Sequence, residues 1–212
     1  MKVTLFGATG KTGAYLIREG LKRGFEITVF ARTGSSFQNP DVRIVRGDPT
    51  DIGLLQEAIC GSDAVLSALG PAKMPHPKDL PITRATEAII SVMKQERITR
   101  LIAVSTGTAV DPGDGIDLKI WLPAALIKHA MPNVYRDIVG LAETIRSSDL
   151  DWTLVRAGLL KNYPASEHLN VGLYGHSKHS LTLSRENLAR FMFDQISSRE
   201  YVAQAPGISS RW

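Results

Sequence analysis

The stretch VTLFGATGKTG, residues 3–13, decides how the rest of this chain is interpreted. The four residues before the first glycine are apolar or β-branched and predict a buried strand. Three glycines then follow at three-residue intervals, and a segment of helical period, residues 14–23, begins directly after them. A strand, a glycine turn and a helix in this order open a βαβ unit, with the turn at the carboxyl end of the first strand.

The Gly-x-x-Gly-x-x-Gly spacing of this turn predicts a phosphate-binding site. Glycine permits a tight turn, lets the backbone approach a pyrophosphate, and lets the helix pack closely on the strand. The exposed N–H groups and the dipole of the following helix then attract the phosphates. The predicted contact residues are Gly7, Thr9, Gly10, Lys11, Thr12 and Gly13.

A nucleoside triphosphatase is excluded by the spacing of the same glycines. Gly10, Lys11 and Thr12 supply the tripeptide of a P-loop, but Gly7 lies three residues before Gly10. A P-loop places its first glycine five residues before the second. A dinucleotide is therefore the better match for this turn.

The end of the second predicted strand, residues 26–30, indicates which dinucleotide binds. Arg32 follows this strand, about 20 residues after the turn, where an NAD site usually carries Asp or Glu for the ribose hydroxyls. An arginine instead suits the 2′-phosphate of NADP(H), which is the cofactor that we expect. A solvent-exposed arginine without a ligand is the alternative. Asp48, after the third predicted strand, could accept a hydrogen bond from an adenine amino group or cap the next helix.

The remaining apolar pattern predicts an α/β fold. Short apolar runs predict strands over residues 42–45, 64–67, 101–104 and 152–155, and helical spacing predicts helices within residues 52–59, 85–93, 138–145 and 188–196. Alternating elements of this kind form a doubly wound, mostly parallel Rossmann-type sheet with helices on both faces. Irregular regions at 70–81, 106–118 and 159–180 follow strand ends, and we expect them to build a small substrate lobe. We expect one domain over residues 1–212.

Composition excludes several other classes of protein. Hydrophobic residues make up 43% and charged residues 22% of the chain, so a disordered or collagen-like protein is excluded. The net charge of +4 comes from scattered cations, so we expect no nucleic-acid partner, although a few cations could gather at one anionic ligand. The longest uncharged apolar stretch, residues 120–127, is shorter than the roughly 20 residues of a membrane span, and Pro123 interrupts it.

The expected compartment is the cytoplasm. The start of the chain lacks the apolar region and cleavage site of a signal peptide, and the single cysteine, Cys60, has no partner for an internal disulfide. The histidines have no spacing typical of metal ligands, so we predict no metal site, and the closest group, His176 and His179, is interpreted as part of a solvated loop.

Together these motifs resemble the atypical short-chain dehydrogenase/reductases, the branch with biliverdin-B/flavin reductases and NmrA-like proteins. The resemblance covers nearly the whole chain and also uses residues 31–32, 47–48, 67–70, 104–106, 153–158 and 183–189. It implies that the ribose–nicotinamide side of the cofactor is lined by Ser67, Ala68, Leu69 and Gly70. Arg156, followed by Ala157 instead of the usual proline, is also assigned to the cofactor site; pairing with helix carboxylates or contact with substrate are its alternatives.

The resemblance further implies that Ser105 and Thr106 lie near the nicotinamide, where a hydroxyl orients the substrate. Classical members of the family use Tyr-x-x-x-Lys for acid catalysis, but Tyr135 is followed four residues later by Val139. The missing lysine favours a reductase that passes hydride directly to a small conjugated acceptor of flavin, quinone or biliverdin type. An NmrA-like NADP(H) sensor without turnover is the alternative. The loop aromatics Trp121, Tyr163 and Tyr174 could stack on the substrate or pack in the core, and a monomer and a dimer are both open.

Overall fold

Ten strands and six helices are described by this computed structural model, which covers residues 1–72 and 74–210. The strands are β1 (Lys2–Phe6), β2 (Glu26–Arg32), β3 (Arg43–Gly47), β4 (Ala64–Ser67), β5 (Arg100–Thr106), β6 (Asp151–Ala157), β7 (Leu159–Lys161), β8 (Leu169–Gly172), β9 (Thr182–Ser184) and β10 (Gly207–Ser210). The helices are α1 (Gly13–Lys22), α2 (Ile52–Ile59), α3 (Pro81–Gln95), α4 (Leu118–Ala130), α5 (Pro132–Arg146) and α6 (Arg185–Asp194).

Eight of the strands form one sheet in the order β3-β2-β1-β4-β5-β6-β10-β8. Every pairing in it is parallel except that between β10 and β8. The strand order reverses between β1 and β4, and this reversal creates a crevice at the carboxyl ends of the two strands. β7 and β9 form a separate parallel pair.

The strands bury both faces of the sheet because successive side chains point to opposite sides. On β1, Val3 and Leu5 belong to the core cluster that includes α1 and α6 residues, whereas Phe6 belongs to the cluster with α2, α3 and α5. β5 alternates in the same way, with Ile102 in the first cluster and Leu101 in the second. Helices therefore cover both faces, and the predicted fold class is confirmed.

The structure corrects the prediction at the substrate side of the fold. The region 159–180 was expected to be irregular, but it contains β7 and β8, so the lobe there is not built from loops alone. Residue 73 of the predicted loop at 70–81 lies outside the described residues. Helix α4 was not predicted, because its apolar residues lie on more than one side and give no single stripe at helical spacing. No helix in the described part of the chain has the length and apolarity to cross a membrane.

Candidate cofactor and substrate site

The glycine turn joins β1 to α1 and packs against the end of β4. Gly7 has φ +75°, and a Cβ there would lie 2.5 Å from the carbonyl oxygen of Ala68. A Cβ on Gly13 would lie 1.7 Å from the carbonyl oxygen of Ala8, so only glycine lets α1 begin this close to the turn. A Cβ on Gly10 would meet only the Gly7 carbonyl oxygen, at 3.3 Å, so this side of the turn is open to a ligand.

The N-terminus of α1 is left without a side-chain cap. Its N-cap residue, Thr12, makes no side-chain cap hydrogen bond, and the first turn carries no acidic residue. In contrast, Asp51 caps α2 and Ser184 caps α6 through their side chains. The first N–H groups of α1 and the positive end of its dipole are therefore available to an anionic ligand.

A groove of about 820 Å³ runs along the crevice between β1 and β4. Its lining includes Gly7, Thr9, Gly10, Lys11, Thr12, Arg32, Ala68, Leu69 and Gly70, which were all predicted as cofactor residues. Gly13 acts through packing instead, and Ser67 is buried in β4; neither is among the residues that line the groove.

The groove is positively charged along its described lining. Lys11 and Arg32 are both exposed, and neither side chain forms an ion pair or hydrogen bond with another described residue. No Asp or Glu occurs among the described residues that line the groove. A glycine cradle, an uncapped helix N-terminus and two unpaired cations fit a dinucleotide that carries a pyrophosphate and a further phosphate.

A second cavity, of about 220 Å³, adjoins the groove and shares lining residues with it. The shared residues are Thr12, Ala68, Leu69, Gly70, Pro71 and Ile82. The far wall consists of Val104, Ser105 and Thr106 from β5, Ile138 and Leu141 from α5, and Leu160 from β7. The two predicted hydroxyl residues therefore lie at the end of the groove, in a cavity whose described lining is mostly apolar.

The two hydroxyl groups in this cavity differ in their hydrogen bonds. Ser105 Oγ is buried and has no hydrogen-bond partner among the described residues. Thr106 Oγ1 accepts a hydrogen bond of 3.3 Å from the backbone N–H of Thr108, which leaves its own proton for another acceptor. A ligand oxygen or nitrogen in the cavity would satisfy these groups.

The sequence matches a protein family described as NAD(P)H-binding over residues 7–199. The chain belongs to this family. It is 29% identical to the uncharacterized protein YwnB of Bacillus subtilis over 155 residues, which cover 73% of this chain and 70% of YwnB. It is 27% identical over 122 residues to human sterol-4-alpha-carboxylate 3-dehydrogenase, a match that spans 56% of this chain and 32% of the human enzyme.

Solved structures place this NAD(P)H-binding protein in the same fold as short-chain dehydrogenases/reductases. A short-chain dehydrogenase/reductase of Veillonella parvula in complex with NADP has a TM-score of 0.78 at 18% identity, covering 99% of this chain and 94% of the other. ChuY of Escherichia coli O157:H7, an anaerobillin reductase, has a TM-score of 0.75 at 19% identity, with 99% and 97% covered. The family match confirms the expected NAD(P)H-binding family, and these structures confirm the fold that it shares with short-chain dehydrogenases/reductases.

The structure of this NAD(P)H-binding protein corrects the predicted role of Arg156. The side chain is completely buried and lines neither cavity. Its guanidinium donates to both carboxylate oxygens of Asp114, one of them at 2.7 Å, and to the carbonyl oxygen of Ala205 at 2.7 Å. The assignment to the cofactor site is therefore wrong, and its partner carboxylate lies in the loop after β5 instead of on a helix.

The ion pair between Arg156 and Asp114 ties the loop after β5 to strand β6. Burial raises the pKa of Asp114, but hydrogen bonds from Arg156 and the backbone outweigh it, and the pKa lies below its ordinary value. Tyr174 donates its hydroxyl to the Arg156 carbonyl oxygen at 2.8 Å, and its ring lies 4.6 Å from the guanidinium carbon. Of the two interpretations of Tyr174, core packing is the one observed.

Asp48 organises a turn and does not cap α2. Its carboxylate accepts hydrogen bonds from the backbone N–H of Thr50 at 2.9 Å and from the Thr50 hydroxyl at 2.6 Å. These bonds lower the pKa of Asp48. The cap of α2 is Asp51, so the capping alternative for Asp48 was wrong, and its contact with adenine stays a prediction.

Tyr135 is not among the residues that line the second cavity. It begins the second turn of α5, is partly buried, and its ring centroid lies 5.6 Å from Lys128 Nζ. The α5 side chains that reach the cavity are Ile138 and Leu141, which carry no proton to donate. Tyr135 is therefore a partly buried helix residue that does not line the cavity.

The buried pair of His76 and Asp137 was not predicted from the sequence. His76 lines the groove, and its Nε2 lies 2.7 Å from Asp137 Oδ2 on α5. Asp137 also accepts hydrogen bonds from the backbone N–H groups of Ile82 and Thr83, so it caps α3 from another helix. Burial raises the pKa of Asp137, but these bonds outweigh it and lower the pKa. No local sequence signal indicates a cap contributed from this far along the chain.

The C-terminal histidine pair is only partly solvated. His176 is exposed, but His179 is buried against Tyr174, with ring centroids 4.8 Å apart, and its Nε2 lies 2.9 Å from Ser177 Oγ. Burial lowers the pKa of His179. The prediction of a solvated loop is therefore wrong for His179. Residues 1–72 and 74–210 contain no group of three or more His, Cys, Asp or Glu side chains that could hold a metal ion.

Proposed function

We propose that this protein is an NADPH-dependent reductase that transfers a hydride to a small conjugated acceptor. The observation that carries the proposal is the arrangement of the two cavities. A cationic groove lined by the glycine turn adjoins a small cavity with mostly apolar walls and two hydroxyls. No titratable side chain occurs among the described residues that line this second cavity.

NADPH is favoured over NADH by the charge at the end of β2. Arg32 is exposed at the groove and unpaired with any described residue, and no carboxylate of the described lining is available to bind the ribose hydroxyls. A guanidinium binds phosphate through parallel hydrogen bonds, so it favours a 2′-phosphate.

The chain contributes alignment, desolvation and hydrogen bonds to the reaction. When bound, the cofactor supplies the hydride at its nicotinamide ring. Ile138, Leu141 and Leu160 exclude water from the substrate that accepts the hydride. Thr106 donates a hydrogen bond from its hydroxyl to an oxygen or nitrogen of that substrate. Because the described lining of the cavity contains no acidic side chain, the acceptor must be electron-poor enough to take hydride before it is protonated by solvent.

The size of the second cavity favours a small acceptor or the reacting ring of a larger one. Its volume of about 220 Å³ is below the ~300–1,000 Å³ of common ligand pockets. A quinone, or one end of a flavin, is therefore favoured over a whole biliverdin-like molecule. The small-molecule substrate that we propose would be flat and largely apolar.

Steady-state oxidation of NADPH with quinone, flavin and biliverdin acceptors tests this function. We expect turnover with at least one acceptor, and a Thr106→Val variant should lose about tenfold in kcat, which corresponds to about 1.4 kcal/mol of transition-state stabilisation. The affinity for NADPH should not change. Thr144→Val on α5, outside both cavity linings, is the matched control. Tight NADPH binding without turnover of any acceptor would contradict the proposal.

An NADP(H) sensor is the second candidate, and the absence of a titratable group from the described lining of the cavity favours it as well. Such a protein would bind the cofactor and pass its redox state to a partner. A pulldown should then recover a partner whose amount differs between NADP⁺ and NADPH. A partner that binds equally in both states would exclude the sensor.

A further inference from the structure

Helix α4 has an apolar face that packs on the protein. Ala124 is buried, and Ile127 and the following Met131 pack against the core cluster that contains α5. At the start of the helix, Ile120 lies so close to Gly107 that a Cβ on Gly107 would come within 2.5 Å of it. This inward face therefore rests on α5 and on the loop directly after Thr106.

The opposite face of α4 is equally apolar but faces solvent. The exposed fractions are 90% for Ile116, 62% for Leu118, 60% for Trp121, 58% for Leu122 and 68% for Leu126. Residues 118, 121, 122 and 126 have the spacing of one helical stripe. Four of the five residues are therefore aligned on α4, and Ile116 extends the stripe at its N-terminal end.

A helix that is apolar on opposite sides is normally buried on both. Each of the five side chains exposes on the order of 100–150 Å², which gives roughly 600 Å² of apolar surface in total. The largest apolar patch on a typical monomer is ~300–600 Å², so this stripe lies at the upper limit. This is about three quarters of the ~800 Å² that each partner contributes to a standard protein interface. The polar rim of the helix would supply the rest.

We propose that this stripe is the dimer interface between two copies of the chain. An isologous contact requires a surface that complements itself. A stripe of Leu and Trp side chains centred near Leu122 complements a second copy of itself when two α4 helices cross antiparallel. The occupant is therefore a second α4. This inference does not depend on the proposed reductase activity.

The charges at the two ends of α4 favour the antiparallel arrangement. Asp117 precedes the helix, whereas Lys128 and His129 lie in its last turn. In an antiparallel pair, Asp117 of each copy lies beside the cationic end of the other, and the helix dipoles also oppose each other. A parallel pair would instead align the two helix dipoles and place Lys128 and His129 of the two copies at the same end.

Sedimentation velocity of the full chain between about 1 and 100 µM tests the interface. We expect a concentration-dependent species of twice the 23.1 kDa chain mass. Leu122→Glu should weaken association by about 100-fold, because it buries an unpaired carboxylate at the centre of the contact. At a concentration low enough for both proteins to be monomeric, its thermal unfolding should stay within about 2 °C of wild type, since Leu122 is exposed in the single chain.

Leu159→Glu is the matched control, because Leu159 is 61% exposed on β7 and should leave the dimer intact. As a second measurement, Leu122→Cys in a Cys60→Ser background should form a disulfide between copies under mild oxidation, since Leu122 lies near the two-fold axis. A wild-type chain that stays monomeric at the highest concentration would overturn the proposal. So would a dimer that survives Leu122→Glu, or a monomer that instead pellets with vesicles of phosphatidylcholine and phosphatidylserine.

Discussion

Replacing Arg32 should separate the affinities for NADPH and NADH. The side chain is exposed at the groove and has no partner among the described residues, so its loss breaks no internal contact. A charged hydrogen bond contributes about 1.5–3 kcal/mol, and solvent exposure places this one in the lower part of that range. A loss of about 1.5–2 kcal/mol corresponds to a Kd for NADPH that is about 10- to 30-fold higher in Arg32→Ala.

Arg32→Asp should have a larger effect because it adds repulsion to the lost contact. We expect its Kd for NADPH to rise by about 100-fold, while the Kd for NADH changes by less than about threefold or improves, because a carboxylate can bind the free ribose hydroxyls. Titration of both cofactors by calorimetry or by fluorescence measures these constants. The preference for NADPH in the wild type should also weaken as salt is raised, since the contact is exposed.

Arg43→Ala provides the control for a general loss of positive charge. Arg43 begins the neighbouring strand β3, is exposed, pairs with Glu57 at 2.9 Å and does not line the groove. Its replacement should leave both Kd values within about twofold of wild type. Equal losses for NADPH and NADH in Arg32→Ala would refute the assignment, and so would an equally large effect in Arg43→Ala.

Three further predictions concern the turn and the buried carboxylates. Gly13→Ala should abolish cofactor binding or folding, because its Cβ would lie 1.7 Å from the carbonyl oxygen of Ala8. The control is Gly24→Ala, where φ is +76° and a Cβ has no neighbour within 4 Å; it should lower the free energy of unfolding by only about 1 kcal/mol in chemical denaturation. Asp137→Asn should lower the melting temperature by about 6–12 °C, from a loss of about 3 kcal/mol. Because folding lowers the pKa of Asp137, its ionised carboxylate stabilises the fold fully above the unfolded pKa of about 3.9, and this contribution is lost as the pH falls through the folded pKa. An acid titration in which Asp137→Asn and wild type lose stability in parallel would contradict this prediction. Asp114→Ala should lower the free energy of unfolding by about 3–5 kcal/mol, because it leaves the buried Arg156 unpaired, and the Kd of the folded protein for NADPH should not change. A raised Kd would show that Arg156 contributes to cofactor binding after all.

The dinucleotide half of the site could be predicted because its signals are local. Gly7 and Gly13 stand at fixed distances from one strand and one helix, and the geometry of that unit follows from the chain itself. Arg32 was located by the same reasoning, since it lies at the carboxyl end of the next strand of the same unit. The hydroxyls of Ser105 and Thr106 came from the family resemblance, and the structure places both beside the groove.

The other contacts depended on residues that are far apart in the chain. Arg32 and Arg156 both occupy the carboxyl ends of strands, yet one is exposed at the groove and the other is sealed against Asp114. Nothing near Arg156 in the sequence indicates that a loop from the preceding strand supplies its partner. The same holds for His76 and Asp137, which meet only because α3 and α5 pack side by side.

By itself, then, the sequence determined the strand–turn–helix unit, the parallel sheet and the glycine turn at which we expect the cofactor, because periodicity and glycine spacing act over a few residues. The tertiary structure alone decided which strand-end arginine meets solvent, which carboxylate caps α3, and that α4 keeps one apolar face outside. The physical reason is burial. Whether a charged or apolar side chain is exposed depends on which distant elements cover it, and no local pattern carries that information.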